Sequence, residues 1–174
     1  MGGRIGNTCF GAEEMNWREA FLRQARSDFS IFRLLNSLDA PYAHQLHYLQ
    51  MTTEKLGKAL LIPVSSDAAP AFSHRAFVTL LQQMPGQPGR RFQLRYGGKS
   101  SMLKARVRKI LPLAKMIEDL APALAGIARP NPEYPWKDRM TNEILCPAEF
   151  GFAEFDPNSA DMLNLVDVID ELLN

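Results

Sequence analysis

Apolar side chains recur at every third or fourth position along four long segments of this chain, and that period is the strongest constraint on its fold. A repeat near 3.6 gathers an apolar stripe on one side of a helix, whereas in a strand it would bury neither face consistently. From Trp17 to Leu38 the residues Trp17, Ala20, Phe21, Ile31, Phe32, Leu35 and Leu38 fall on one side of a helical wheel, with Arg23, Arg26, Ser30 and Arg33 opposite. Asn16 stands at the N-cap, where its side chain can accept an otherwise unpaired backbone N–H, and Asp39-Ala40-Pro41 closes this helix and opens the next. A second helix from about Pro41 to Ile62 carries Tyr42, Ala43, Leu46, Leu49, Thr53, Leu56, Gly57, Leu60 and Leu61 on its core face. Its other stripe holds His44, His47, Met51, Glu54, Lys55 and Lys58. Gly57 costs about 1 kcal/mol against alanine inside a helix, so its presence predicts a neighbouring helix passing close there.

Beyond Pro63 the stretch Ser65 to Phe72 reads as a loop, and Ser73 is placed to cap a short third helix bearing Phe77, Val78, Leu80 and Leu81. Residues 85 to 98 read as loop: Phe92 to Tyr96 before Gly97-Gly98 opens like a hairpin, but no second β-patterned run follows. From Ser100 to Gly126 helical phase is kept by Leu103, Val107, Ile110, Ala114, Ile117, Ala121 and Leu124. Pro112 and Pro122 interrupt it, which predicts a kinked helix or two helices meeting near Leu111-Pro112. Residues 128 to 155 are rich in proline and aromatic residues and predict a long ordered loop on the bundle, and residues 157 to 173 predict a last helix with Met162, Leu165, Val166, Ile169, Leu172 and Leu173 inward.

At 174 residues the chain suits one domain, and 46% hydrophobic against 22% charged residues predicts that it folds. The expected fold is all-α, an antiparallel bundle of five or six helices with cores at 16–84 and 100–126. No apolar run approaches the roughly 20 residues of a membrane span, and Met1-Gly-Gly-Arg-Ile-Gly is unlike a secretory signal, so a soluble cytoplasmic protein with no membrane association is expected. Cys9 and Cys146 match no metal or redox spacing, which leaves no expected disulfide, metal or cofactor.

The formal net charge of +1 conceals a strong segregation. Residues 1 to 67 hold 7 basic and 7 acidic side chains, residues 68 to 117 hold 10 basic and no acidic ones, and residues 118 to 174 hold 3 basic and 12 acidic ones. The middle stretch therefore carries +10 and the last −9. Arg90, Arg91, Arg95, Lys99, Lys104 and Arg108 are candidates for contact with a nucleic-acid backbone, with Phe92 and Tyr96 interleaved as stacking groups. The competing expectation is internal, with the acidic C-terminal region folding against the basic one or against that of a second copy.

Three stretches together resemble the HEPN superfamily of nucleotide-binding helical domains. Trp17-x-x-Ala20 followed by Asp28, Phe29, Phe32, Leu34 and Leu35 resembles the family's first helix. Gln50, Thr53, Glu54-Lys55, Lys58-Ala59 and Leu60-Leu61 are similar to its second, and His74 with Leu80-Leu81 to its third, although Arg75 and Ala76 stand where acidic and apolar residues are expected. Asn131-Pro-Glu-Tyr-Pro looks like the loop before the family's last helix. The resemblance implies a bundle, commonly a homodimer, that binds a nucleotide or RNA, or docks on a nucleotidyltransferase or a toxin–antitoxin or other defence partner. Ribonucleases of the family carry Arg and His separated by four to six residues, and none of His44, His47 and His74 has such an Arg, since residues 37–39, 40–42 and 67–69 include none.

The function expected is thus a non-catalytic binding module, with no catalytic residue assigned. Its groove would hold Asp28, His44, His47, Glu54, Lys55, Lys58, His74 and Arg75. The alternatives are an RNA-cleaving enzyme with a rearranged His/Arg site and a structural protein-interaction module. His44 and His47 lie one turn apart with Glu54 two turns on, a geometry that suits metal only if further ligands join, so two surface histidines are the plainer expectation. Asp28 falls in the apolar stripe, where a carboxylate must be paired, and Lys55 or Arg75 is the expected partner.

Overall fold

The computed structural model describes residues 15–63, 73–86, 100–125 and 129–174. Among them the protein forms six α-helices and one two-stranded hairpin, an all-α bundle as the periodicity requires. The expected loop at 65–72, the expected loop at 85–98 beyond Gly86, Cys9, and Arg90, Arg91, Arg95, Lys99, Phe92 and Tyr96 lie outside the described residues.

Helix α1 (Trp17–Ser37) starts where Asn16 Oδ1 accepts the Glu19 N–H at 2.9 Å. A cap of this kind is worth about 1 kcal/mol. Of the expected inward stripe only Phe32 is buried: Ala20, Phe21, Ile31 and Leu35 are half-buried, Trp17 and Leu38 at its ends are exposed, and the face turned to the core is instead Ala25, Asp28, Phe29 and Phe32. Helix α2 (Tyr42–Leu61) returns antiparallel to α1, since Arg18 reaches the Ala59 and Ile62 carbonyls while Asp28 meets Lys55. The Arg18 contacts also satisfy carbonyls that a helix C-terminus leaves without intrahelical donors. Helix α2 is central and most of its polar residues are covered: Gln45, Gln50, Thr52 and Thr53 are buried, and Glu54, Lys55 and Lys58 of the expected polar stripe nearly so, while His44 of that stripe is exposed.

Helix α3 (Ala76–Gln83) runs into a 3-10 turn, Met84–Gly86. It crosses α2 at Gly57, where a Cβ would lie 2.3 Å from the Phe77 nitrogen, so the close approach expected at this glycine exists and excludes any side chain. Ser73 does not cap α3. Its Oγ accepts the Arg75 N–H at 3.1 Å, one step short of the helix, and Glu118 serves the helix instead.

Helix α4 (Ser100–Asp119) is a single helix through Pro112, not two meeting there. Pro112 and Arg108 are exposed, so the carbonyl that proline leaves unbonded one turn back faces solvent and the helix continues. Helix α5 (Pro122–Ala125) is one turn with proline at its first position. The expected loop from 128 to 155 is partly regular: β1 (Trp136–Lys137) pairs antiparallel with β2 (Ile144–Leu145), Trp136 opposite Leu145, and a 3-10 turn follows at Pro147–Glu149. Strands this short carry no alternation that a sequence pattern can show.

Aromatic packing fixes the segment. Trp136 meets Phe150 edge-on at 4.9 Å and Phe150 meets Phe152 at 5.0 Å, and buried Phe152 is held at φ 43, a left-handed conformation a bulky residue adopts only when its surroundings impose it. Helix α6 (Ala160–Leu173) begins three residues later than expected, because Asp156 first makes a turn through the Asn158 and Ser159 N–H groups. Ser159 is the cap, accepting the Met162 N–H at 3.2 Å. The core joins Leu46, Leu49 and Leu56 of α2, Phe77 and Leu81 of α3, Ile110 and Ile117 of α4, and Leu165 and Ile169 of α6. No helix among the described residues is long and apolar enough to cross a membrane.

Candidate functional site

The eight residues expected to share a groove separate into distinct sets. Asp28 of α1 is buried and meets Lys55 Nζ at 2.6 Å, and Gln24 Nε2 donates to its other oxygen at 3.0 Å. Lys55, and not Arg75, is its partner. Beside Lys55 in the sequence, Glu54 takes Lys58 Nζ at 2.6 Å on one oxygen, and His74 Nδ1 at 3.0 Å with Gln50 Nε2 at 3.2 Å on the other. Burial pushes the Glu54 carboxyl up, but the Lys58 and His74 hydrogen bonds outweigh burial and hold it below its ordinary range. An ionised Glu54 is an acceptor only, so His74 presents Nδ1–H to it and keeps Nε2 for other partners.

The remaining three residues stand apart. Arg75 pairs with Asp119 at 2.5 Å. His44 is exposed, about 15 Å nearer the start of α2 than Glu54 at 1.5 Å per residue. His47 lies with its Nδ1 3.3 Å from Glu133 Oε1, but the angle makes no hydrogen bond and the ring rests edge-on against Tyr48. No group of three or more His, Cys, Asp or Glu that could hold a metal exists among the described residues. Each cation on the Asp28, Glu54 and Asp119 side thus has a carboxylate within hydrogen-bond reach, and the cluster is electrically closed on itself.

Helix α4 is different. Arg106 is drawn inward to Glu171 at 2.7 Å and Asp167 at 3.4 Å of α6, so part of the basic stretch does meet the acidic C-terminal one. Arg75 with Asp119 is a second instance. Lys104, Arg108, Lys109 and Lys115 are exposed and have no carboxylate partner among the described residues. Spacings of four and seven residues put Lys104, Arg108 and Lys115 on one row of the helix, roughly 6 Å and 10 Å apart along its axis.

Sequence spacing assigned no role to two buried polar side chains that hold loops and caps, Glu118 and Asn131. Glu118 is fully buried, and its Oε1 accepts the Phe77 N–H at 2.8 Å and the Val78 N–H at 3.2 Å, capping α3 from forty residues away. Its Oε2 has no hydrogen-bond partner, and burial pushes the carboxyl up to about 7 against the pull of those two N–H groups and of Arg75. Glu118 follows Ala114 by four residues on the core stripe of α4, the same signal that singled out Asp28 on α1. Asn131 is buried with Oδ1 accepting the Glu133 and Tyr134 N–H groups at 3.1 and 2.8 Å, which folds the Asn131-Pro-Glu-Tyr-Pro loop. Compared with protein-family models, with curated proteins and with solved structures, the chain matches none.

Proposed function

We propose that this chain is a non-catalytic HEPN-like helical module that binds RNA through the outward row of α4. One observation carries the reading: among the described residues the cations of the α1–α2–α3 cluster are all engaged by carboxylates, whereas Lys104, Arg108, Lys109 and Lys115 are exposed and have none. Lys and Arg placed this way neutralise phosphates and release their counterions, the main source of affinity for a nucleic-acid backbone. The order of motifs on α1, α2 and α3 supports the HEPN-like assignment, and the closed Asp28–Lys55 and Glu54–Lys58–His74 pairs support structural roles for those residues. The test is fluorescence anisotropy with labelled RNA at low salt. Wild-type protein binds, and Lys104→Glu with Arg108→Glu abolishes binding without loss of helix content. Unchanged binding by the charge-reversed protein refutes the assignment of the surface.

A second reading is favoured by the histidine geometry. His74 alone among the three histidines is hydrogen-bonded to a carboxylate, an arrangement that fixes the tautomer and leaves Nε2 as a base able to take the proton of an RNA 2′-hydroxyl. Cleavage of RNA that is lost in His74→Ala, and retained in His44→Ala and His47→Ala, would replace the non-catalytic reading with this one.

A further inference from the structure

Resting on the proposed RNA-binding role of α4, we infer that this helix recognises the phosphate backbone of a double-stranded nucleic acid, without reading its sequence. The helix has no aromatic residue anywhere between Ser100 and Asp119, and single-strand binders obtain much of their affinity by stacking bases on aromatic rings. It also has no Asn or Gln, the side chains that read adenine edges bidentately. Its outward row offers cations alone, whose one route to a base edge is a Lys or Arg contact to guanine, on the convex surface of a helix whose apolar side, Leu103, Val107, Ile110, Ala114 and Ile117, is committed to the core.

A duplex suits that row. It carries about one phosphate per 1.7 Å of its axis with both strands counted, so the length of duplex beside the roughly 16 Å from Lys104 to Lys115 holds about ten phosphates, part of them on the side facing the helix in any register. Three cations on flexible stems reach phosphates wherever the helix lands, which makes binding independent of sequence. An anionic membrane suits it less. Membrane-surface helices immerse a continuous apolar face, and the exposed large apolar side chains of α4 are Met102 and Met116, about 21 Å apart along its axis.

The experiment titrates the full chain, wild type and Lys104→Ala/Arg108→Ala/Lys115→Ala, against two RNA duplexes of unrelated sequence, the matching DNA duplexes, one single-stranded RNA, and vesicles of phosphatidylserine and phosphatidylcholine. Each titration is repeated between 50 and 200 mM salt. Both RNA duplexes are expected to bind within about threefold of each other, and the DNA arms show whether the A-form sugar matters. The triple substitution should flatten the plot of log K against log salt by about 2.7, three contacts at about 0.9 each, equivalent to about a 40-fold smaller loss of affinity across that salt range. Tighter binding to the single strand, a strong difference between the two sequences, a salt slope untouched by the substitutions, or binding to vesicles alone overturns the inference. Single-strand preference with a reduced slope in the variant leaves the RNA-binding reading standing, whereas no binding to any nucleic acid removes both.

Discussion

Replacing Glu118 by glutamine should abolish a pH dependence of folding stability that the wild-type protein owes to one buried carboxyl. Burial raises its pKa to about 7 from the ordinary 4.5, with the Val78 and Phe77 N–H groups and the Arg75 charge opposing the rise and Asp119 adding to it. Because the folded value lies above the unfolded one, the stabilisation is fully present below about pH 4.5 and is lost as the pH climbs through about 7. At 1.4 kcal/mol per unit of difference the loss is about 3 kcal/mol between about pH 4 and pH 8.5. The side-chain amide introduced by Glu118→Gln keeps an acceptor for the two N–H groups and cannot ionise. The difference in unfolding free energy between Glu118→Gln and wild type, measured by urea denaturation, should therefore be close to zero near pH 4 and grow to about 3 kcal/mol in favour of the variant near pH 8.5. With ordinary slopes that is a midpoint shift of about 1 to 2 M urea. A difference that does not change with pH would refute the reasoning. Glu118→Ala is the complement: it strands both N–H groups and should cost stability at every pH.

Gly57→Ala should lower stability by about 2 kcal/mol despite alanine's better helix propensity, because the new Cβ meets the backbone of Ala76 and Phe77 and not a flexible side chain. Thermal unfolding by circular dichroism measures it, and a gain in Tm would show that α3 can move away. Lys55→Met leaves the buried Asp28 with Gln24 alone and should cost about 3 kcal/mol, most of it recovered in the double variant with Asp28→Asn. A double-mutant cycle in urea with no coupling would exclude that pairing. On the acid side Glu54, held below its ordinary range, gives stability that is present above about pH 4.5 and lost as the pH falls further. Glu54→Gln should flatten that limb of the profile.

The bundle was legible because its signals are local and repeated. Asn16 as a cap, the stripe on α2 and the demand that Gly57 makes on its neighbour all follow from spacing, and the structure agrees with each. Legibility failed where the decisive partner was distant in sequence. Ser73 looks like the cap of α3 because capping rules are local, but the role went to Glu118, which no short window connects to Phe77. A wheel places Glu54, Lys55 and Lys58 on a polar stripe without showing that α1 and the His74 turn cover it. Segregated charge was visible as a total, but only the fold separates Arg106, engaged by Glu171, from Arg108, two residues on and exposed.

Paired amphipathic helices share a translational degeneracy. An apolar stripe that repeats every turn looks much the same after one helix slides by about 5.4 Å along the other. In α1 and α2 the turn from Glu54 to Lys58 removes that freedom. A slide of α2 by one turn past both α1 and α3 would draw Lys55 away from Asp28, move Glu54 off His74, and carry Gly57 away from the α3 backbone, replacing it with a residue that has a side chain. Three incompatible errors would arise from a single movement, those at Asp28 and Gly57 in the interior. Their combined worth is accordingly selectivity between alignments more than gross stability, in the manner of a polar residue that sets the phase of a coiled coil. A chain in which that turn had been made uniformly apolar would keep its helices and lose the uniqueness of their alignment.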